Sequence, residues 1–409
     1  MSHPIRLLHF ADVHVGMENY GRLDVDSGTS SRVRDFLNRM DEVIDYGLDN
    51  NADIAIFAGD AFKTRDPNPT QQREFAIRLK RLADHMPLLL LVGNHDLPGM
   101  ASKASSVDIF KALDVPNVIV GNEPEGRVVD TRSGPVFLAW MPYPMRNRLL
   151  AQDQHRGKSL HDLDLALQTA VVTLIKDLTG KAMKHDMPRV LSSHLSVSEA
   201  KLGSERTVML GKDVSIGKSV LAGQVWDYVA LGHIHKHQDV NAGSYPGIVY
   251  SGSLERIDFG EEKESKGFCW VELEREKTVW KFVGVNARPF LTIRVDVRDH
   301  EDPTAAVLSA ISVHDINGVV IRLIIQIKDQ NVQMLKDKDV VEALSVAHSY
   351  SINKDVEHEA RTRIGGVAAE TLSAEELLEH YLVDKGYTPE RIKILLSAAY
   401  NIFHTDTKS

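Results

Sequence analysis

The sequence predicts a layered α/β protein that continues into a smaller α/β region and a helical tail. Three observations lead there. Across residues 1–287, short apolar runs of strand length alternate with longer segments whose apolar residues recur at helical spacing. From Gly247 to Val285, aromatic and β-branched residues fall in hairpin-like runs. After Arg288-Pro289 the strand–helix alternation restarts on a smaller scale.

The elements can be taken in chain order. Ile5 to Phe10 is strand-like, and Val33, Phe36, Leu37, Met40, Val43, Ile44 and Leu48 mark one face of a helix. Ile54 to Ala58 and Leu88 to Val92 are compact strands. Leu160, Leu163, Leu167, Val171, Leu174, Ile175 and Leu178 mark a second helix, followed by strands Val190 to Ser193 and Tyr228 to Leu231. Gly267 to Leu273 is an antiparallel strand within the aromatic region. Residues 288–356 read as a small α/β domain: strand Phe290 to Val297, helix Pro303 to Ser312, strand Val319 to Ile327, helix Lys338 to Ala347 and a strand near Ser349 to Lys354. Residues 357–372 read as a linker, polar from Glu357 to Gly366. Residues 373–405 read as a helical pair. Ser373 with Glu376 has capping-box spacing, and Pro389 stands at a helix start. No internal repeat or low-complexity tract interrupts this order.

At 409 residues, with 43% hydrophobic and 26% charged residues, the chain is expected to be a soluble globular protein of two or three domains. A net charge of -9 does not advertise nucleic-acid binding, but a local basic channel or bound divalent ions can attract phosphates against an acidic average. The single cysteine, Cys269, rules out an internal disulfide and thiolate metal clusters. A reducing, cytoplasmic compartment is expected. The N-terminus lacks the pattern of a signal peptide, and no apolar run reaches the roughly 20 residues that span a bilayer. No membrane association is expected.

Five polar clusters carry the chemistry: Asp12-Val13-His14, Gly59-Asp60, Gly93-Asn94-His95-Asp96, His194, and Gly232-His233-Ile234-His235. Each follows directly on an apolar strand, where sites gather in α/β sheets. Carboxylate, amide oxygen and imidazole together suit manganese, iron or zinc. Asp12 and His14 alternate, as do His233 and His235, and in extended backbone such pairs point to one side. The glycines before Asp60, Asn94 and His233 permit tight turns and close approach. Taken singly the pieces are weak. Asp-x-His is common, Gly-Asp after a strand is usually a turn, and one histidine is more often structural. Gly-Asn-His-Asp is more specific, and five clusters in this order at five strand ends are more specific still.

These residues resemble the calcineurin-like metallophosphoesterases, whose pattern is Asp-x-His, Gly-Asp, Gly-Asn-His-(Asp/Glu), His, Gly-His-x-His. The resemblance implies a four-layer α/β sandwich around two divalent metals, with manganese the expected ion. It implies one metal on Asp12, His14, Asp60 and His235. The other would sit on Asp60, Asn94, His194 and His233, with Asp60 as the bridge. It further implies that His95 is the catalytic proton donor or transition-state stabiliser, with Asp96 either orienting it or supporting the turn.

Within that superfamily, Ala11-Asp12-Val13-His14-Val15-Gly16, Gly59-Asp60-Ala61-Phe62 with Pro67 and Pro69, and Tyr250-Ser251-Gly252-Ser253-Leu254-Glu255-Arg256-Ile257-Asp258-Phe259-Gly260-Glu261 resemble SbcD-type nucleases, the nuclease subunits of double-strand-break repair complexes. That resemblance implies a manganese-dependent DNA nuclease, exonucleolytic on duplex ends and endonucleolytic on single strands. It implies a capping domain, homodimerisation through helices near Pro69 to Leu113, and docking of the C-terminal helical pair on the coiled-coil base of an SbcC-type ABC ATPase. Apolar faces on Leu377, Leu378, Tyr381, Leu382, Ile392, Leu395, Leu396, Tyr400 and Ile402 fit that docking role. One departure stands out: Lys63 occupies a position where many members carry histidine. The loop Lys201 to Lys218 reads either as substrate-facing or as plain surface. Arg22, Lys63, Arg65, Lys103, Arg146, Arg148 and Arg206 are scattered sources of phosphate contacts. Two rival functions remain at this level: a phosphodiesterase or phosphatase for small molecules, and a non-catalytic DNA-end scaffold.

Overall fold

The computed structural model describes residues 3–23, 25, 28–98, 103–145, 159–203, 213–357 and 373–404. Arg146, Arg148, Arg206, the centre of the Lys201–Lys218 loop and all of the 357–372 linker but its first residue lie outside them. The chain divides into two compact units. One comprises Met1–Ile293, Asp315–Leu323 and Leu344–Ser351, and the other Arg294–His314, Ile324–Ala343 and Ile352–Ser409.

The first unit is built on two six-stranded sheets. In the first, β1 (Ile5–Phe10), β2 (Ile54–Phe57), β3 (Leu88–Leu91) and β4 (Val118–Gly121) run parallel. The antiparallel β13 (Gly267–Leu273) and β14 (Val279–Gly284) extend it beyond β1. In the second, β6 (Gly134–Met141), β7 (Arg189–His194), β10 (Tyr228–Gly232) and β12 (Gly247–Tyr250) run parallel. The antiparallel β5 (Glu125–Thr131) and β11 (Gln238–Asp239) close its edges. A two-stranded ladder pairs β8 (Ser196–Val197) with β9 (Ser215–Ile216).

The parallel strands are buried on both faces, which is why they read as continuous apolar runs rather than alternating ones. Their inner faces meet in one core: Leu7, Ile54, Ile56, Leu89 and Leu91 pack against Leu138, Trp140, Val190, Tyr228, Ala230 and Val249. The outer face of the first sheet packs against α1 (Ser31–Asp49) and α2 (Pro69–Ala83) through Val33, Leu37, Met40, Phe75 and Leu79. The outer face of the second packs against α4 (Leu160–Ala182) through Val171, Ile175 and Leu178. The short α3 (Asp108–Ala112) contributes Phe110 to the first of these cores. The order helix, sheet, sheet, helix is the four-layer sandwich expected from the sequence. The helix starts follow local chemistry. Ser30 caps α1 by accepting from the Arg32 amide, and Asn68 and Gln71 form a capping box around Pro69.

Beyond Arg288 lie β15 (Phe290–Asp296), α5 (Pro303–Ser312), β16 (Val320–Lys328), α6 (Asp337–Ala343) and β17 (Ser349–Glu357), with the sheet order β15-β16-β17. Two expectations are corrected here. The helix expected to reach Ala347 ends at Ala343, because residues 344–347 close in a turn in which the Ala347 amide donates to the Leu344 carbonyl. Glu357, expected in the linker, is the last residue of a strand whose half-exposed alternation carries it past Lys354. At the C-terminus α7 (Ala374–Asp384) and α8 (Pro389–His404) pair with each other, and the Ser373–Glu376 capping box is formed. Among the described residues no helix is long and apolar enough to cross a membrane.

Candidate metal centre

Five strands deliver the five polar clusters. β1, β2 and β3 of the first sheet end just before Asp12, Asp60 and Asn94, and β7 and β10 of the second end at His194 and Gly232. The structure brings all seven expected ligands and His95 together. Asp12, His14, Asp60, His194, His233 and His235 are buried.

The backbone reaches this arrangement by left-handed turns, which corrects the expectation of alternation in extended chain. Asp12 (φ 53), His14 (φ 48), Asp60 (φ 61) and His233 (φ 97) all have positive φ. The strands have already ended, and successive turns aim the side chains. The turns are laced together. The Asp12 amide donates to the Gly59 carbonyl at 3.0 Å, and the His14 amide to the Asp60 carbonyl at 3.1 Å. Asp12 accepts the His233 amide at 3.1 Å on either oxygen. Gly93 is required by contact: a β-carbon there would collide with the Asp60 carboxylate and main-chain nitrogen.

Hydrogen bonds to carbonyls and carboxylates, which can only accept, place a proton on the outward ring nitrogen of His194, His233 and His235. His194 Nδ1–H donates to the Ala58 carbonyl at 2.7 Å, which leaves Nε2 as the atom turned to the centre. Nε2 faces Asn94 Oδ1 at 3.0 Å and Asp60 Oδ2 at 3.4 Å. His233 Nε2–H donates to Asp213 at 2.8 Å, leaving a lone pair on Nδ1 that faces Asn94 Oδ1 at 2.8 Å. His235 Nδ1–H donates to Glu261 at 2.9 Å, so its Nε2 lone pair faces His14 Nε2 at 3.0 Å. His14 Nδ1 is buried with no partner among the described residues. His14 Nε2 lies 3.8 Å from Asp60 Oδ2. So many nitrogen and oxygen donors crowded within hydrogen-bond distance of one another make a site suited to cations. The donors fall into three overlapping groups: Asp12, His14 and His235; His14, Asp60 and His95; and Asp60, His194 and His233, the last two sharing Asp60.

The electrostatics demand the same. Burial, although opposed by Asp60, holds His14 well below the usual imidazole range, so a proton is not the cation His14 accepts. Burial also pulls His194 down, but the charge of Asp60, its hydrogen bond and Asp12 outweigh it and push His194 up to about 9. Burial raises Asp60, yet His194 and His14 hold it well below the usual carboxylate range. A carboxylate held anionic between imidazoles, one kept neutral by burial and one drawn toward the cationic form by Asp60, marks a place that favours positive charge, and its oxygen and nitrogen donors suit divalent ions.

His95 stands beside this group, its ring edge-on to His14 with centroids 4.8 Å apart. Its amide donates to Asp60 Oδ1 at 2.8 Å, and its Nδ1–H donates to the Lys63 carbonyl at 2.8 Å. Asp96 does not orient this ring. Its carboxylate accepts the amides of Asp60, Ala61 and Gly93, each at 3.0 Å, and so holds the turn. Burial first and then Asp60 push its carboxyl up to about 7.

The profile of the calcineurin-like phosphoesterases matches residues 5–237, a span that ends two residues past His235. The chain belongs to this family. It is 27% identical over 289 residues to the SbcD subunit of nuclease SbcCD from Bacillus subtilis, covering 68% of this chain and 69% of that one. It is 24% identical over 301 residues to the SbcD subunit from Staphylococcus saprophyticus, covering 73% of each. A dimetal phosphatase from Danio rerio superposes with a TM-score of 0.42 at 14% identity, covering 69% of this chain and 96% of that one. As a family member the chain is a metallophosphoesterase, a hydrolase that uses divalent metal.

Sequence reasoning missed the residues that fix the histidines. Asp213 lies within the Lys201–Lys218 stretch, whose sequence fits a substrate-facing or a plain surface role, and it also accepts from Tyr143 at 3.1 Å and from Ser196. Glu261 ends the Tyr250–Glu261 stretch that carries part of the nuclease resemblance, but no sequence signal gives it a role. The Lys63 main chain, rather than its side chain, is what touches His95.

Proposed function

We propose that this chain is the metal-dependent DNA nuclease subunit of a double-strand-break repair complex, cutting duplex ends exonucleolytically and single strands endonucleolytically. The observation that carries the reading is the pair of donor groups meeting at Asp60, in a chain similar to the SbcD subunit of nuclease SbcCD over about 70% of its length. The ligand assignment goes with it: Asp12, His14, Asp60 and His235 for one ion, and Asp60, Asn94, His194 and His233 for the other, with manganese the metal. Bound there, two divalent ions lower the pKa of water toward neutrality and neutralise charge building on a phosphate.

The chain's own residues do the rest. The Lys63 carbonyl keeps a proton on His95 Nδ1, so the neutral ring carries its lone pair at Nε2. Protonated, His95 can deliver its Nε2–H proton to the departing oxygen, which leaves as the hydroxyl, and the neutral ring then regains a proton from water. Asp60 ties the His95 main chain to the bridge, so the proton donor and the metal donors move as one body. Lys63 and Arg65, on the same loop, are sources of positive charge for the DNA backbone.

The organisation follows: phosphoesterase domain 1–287, capping domain 288–356, linker 357–372 and docking helices 373–405. On α7 and α8, Tyr381, Val383, Ile394 and Tyr400 are exposed, an apolar surface that a two-helix pair leaves for an SbcC-type ABC ATPase. Ile77 on α2, Ile109 on α3 and Leu113 just beyond it are exposed apolar residues suited to a homodimer. A cytoplasmic location belongs to the same reading. The test is purified protein with manganese, assayed on linear duplex DNA, on single-stranded DNA and on a chromogenic phosphodiester, alongside an Asn94→Ala variant. DNA cleavage lost in the variant supports the proposal. Asn94-dependent turnover of the small ester with DNA left intact refutes it.

A further inference from the structure

The segment from Ser251 to Lys266 supplies no metal donor, yet it is built around one histidine. Glu261 and Lys266 are buried. Glu261 Oε1 accepts the His235 Nδ1–H at 2.9 Å, while Oε2 accepts the Ile257 amide at 3.0 Å and Lys266 Nζ lies 2.8 Å from it. Lys266 Nζ also donates to the His235 carbonyl at 3.2 Å, to Ser253 Oγ at 3.0 Å and to Glu264 at 3.0 Å. The Ser253 amide donates to the same His235 carbonyl at 3.0 Å. One buried ion pair therefore grips both the ring and the main chain of His235. The other two-nitrogen group is held differently. The carboxylate on His233 is Asp213, which stands two residues before β9 and is itself supported by Tyr143 and Ser196.

We propose that Glu261, clamped by Lys266, is the positioning residue that preorganises His235 and thereby sets the affinity of one metal position, while Asp213 does so independently for the other. The proposal rests on the two-metal reading. A carboxylate on the distal nitrogen of a ligating histidine fixes its tautomer, orients its ring and raises its basicity, and loss of such a partner typically weakens metal binding by ~10- to 100-fold. Because the two carboxylates serve different histidines and, among the described residues, accept from no residue in common, their losses should act on different ions.

The experiment is calorimetric titration of the metal-free full chain with manganese, with electron paramagnetic resonance on the loaded protein. Wild type is expected to take up two ions and to show the exchange-coupled signal of a manganese pair. Glu261→Gln is expected to weaken one ion by ~10- to 100-fold and leave the other within about twofold, so that a mononuclear six-line spectrum appears at intermediate manganese. Asp213→Asn is expected to weaken the other ion, and the double variant both. Glu255→Gln is the control for a merely structural effect. Glu255 is equally buried but accepts from the Arg256 and Arg288 amides and touches no histidine, so both affinities should stay unchanged. If Glu261→Gln does not fold, Glu261→Gln/Lys266→Met removes both charges together and is read in the same way. Unchanged affinities in a folded Glu261 variant, or equal weakening in Glu255→Gln, overturn the proposal. Wild type that binds no manganese, zinc or iron overturns the metal reading instead, a distinguishable failure.

Discussion

Asp96→Asn tests how the site is held rather than what it binds. Asp96 Oδ2 accepts the amides of Asp60 and Gly93, and Oδ1 accepts that of Ala61, all at 3.0 Å in a fully buried position. Asparagine offers one accepting oxygen. In its better orientation the oxygen keeps Asp60 and Gly93, and the amide NH2 then faces the Ala61 N–H. Ala61 then keeps only its longer 3.3 Å bond to the retained oxygen and the Phe62 amide, 3.4 Å from Oδ1, is orphaned, at about 1–3 kcal/mol, and charge-assisted bonds are exchanged for neutral ones roughly half as strong. Removal of a buried carboxylate that burial and Asp60 already disfavour, pushing it up to about 7, offsets part of this. The net expectation is a loss of about 2 kcal/mol in urea denaturation, measured with a chelator present so that metal plays no part. Asp96→Ala orphans all four amides and should lose more. Because the Asp60 turn depends on these bonds, manganese affinity should fall by about tenfold or more. Asp96→Asn protein with wild-type stability and wild-type manganese affinity would show that the turn holds itself.

Three further outcomes follow from the same structure. Asp60→Asn should fold and, lacking the shared carboxylate, lose the thermal stabilisation that manganese gives wild type, about 2.7 kcal/mol per ion at a hundredfold excess over Kd; retention of more than half would contradict its bridging position. Asp35 accepts Arg32 at 2.7 Å and Arg288 at 2.6 Å, so Asp35→Ala should cost about 3–5 kcal/mol, whereas Asp41→Ala, losing half-exposed pairs with Arg78 and Arg81, should cost about 1 kcal/mol or less in the same melts. Burial lowers His9 to about 3, and the neutral ring donates to the Leu231 carbonyl and accepts from Tyr228; the unfolded chain takes up that proton near 6.5 and the folded chain does not, so stability should fall as pH drops from 6.5 toward 3, and His9→Gln should flatten that part of the profile.

The candidate site is legible in the sequence because its clusters are local and each follows a buried parallel strand. Ile5–Phe10 and Gly267–Leu273 are readable to the residue, since fully buried strands have sharp apolar boundaries. β6 escapes recognition as a strand although Val136 to Met141 is continuously apolar, because a short apolar run fits a buried helix as well as a strand. β5, an edge strand with mostly exposed positions, offers little signal at all. Asp213 and Glu261 lie 20 and 26 residues from the histidines they hold, and nothing in local spacing connects them. The direction of the ligands is also illegible: alternation predicts the right pairs for the wrong reason, because positive φ is a tertiary outcome at Asp and His rather than a residue signature.

Those four positive φ values explain why the scaffold is so heavily laced. A non-glycine residue in a sparsely populated backbone region costs of order 1–3 kcal/mol and persists only where its surroundings over-determine it. Asp12, His14, Asp60 and His233 all sit there, and each is tied by bonds that do not involve metal: amides to Gly59 and Asp60, carboxylates of Asp12 and Asp96. The protein's own hydrogen bonds therefore gather these side chains, at the expense of backbone strain. The left-handed turns allow neighbouring clusters from two different sheets to aim inward at one point, and the strain is the physical condition for a site shared between them.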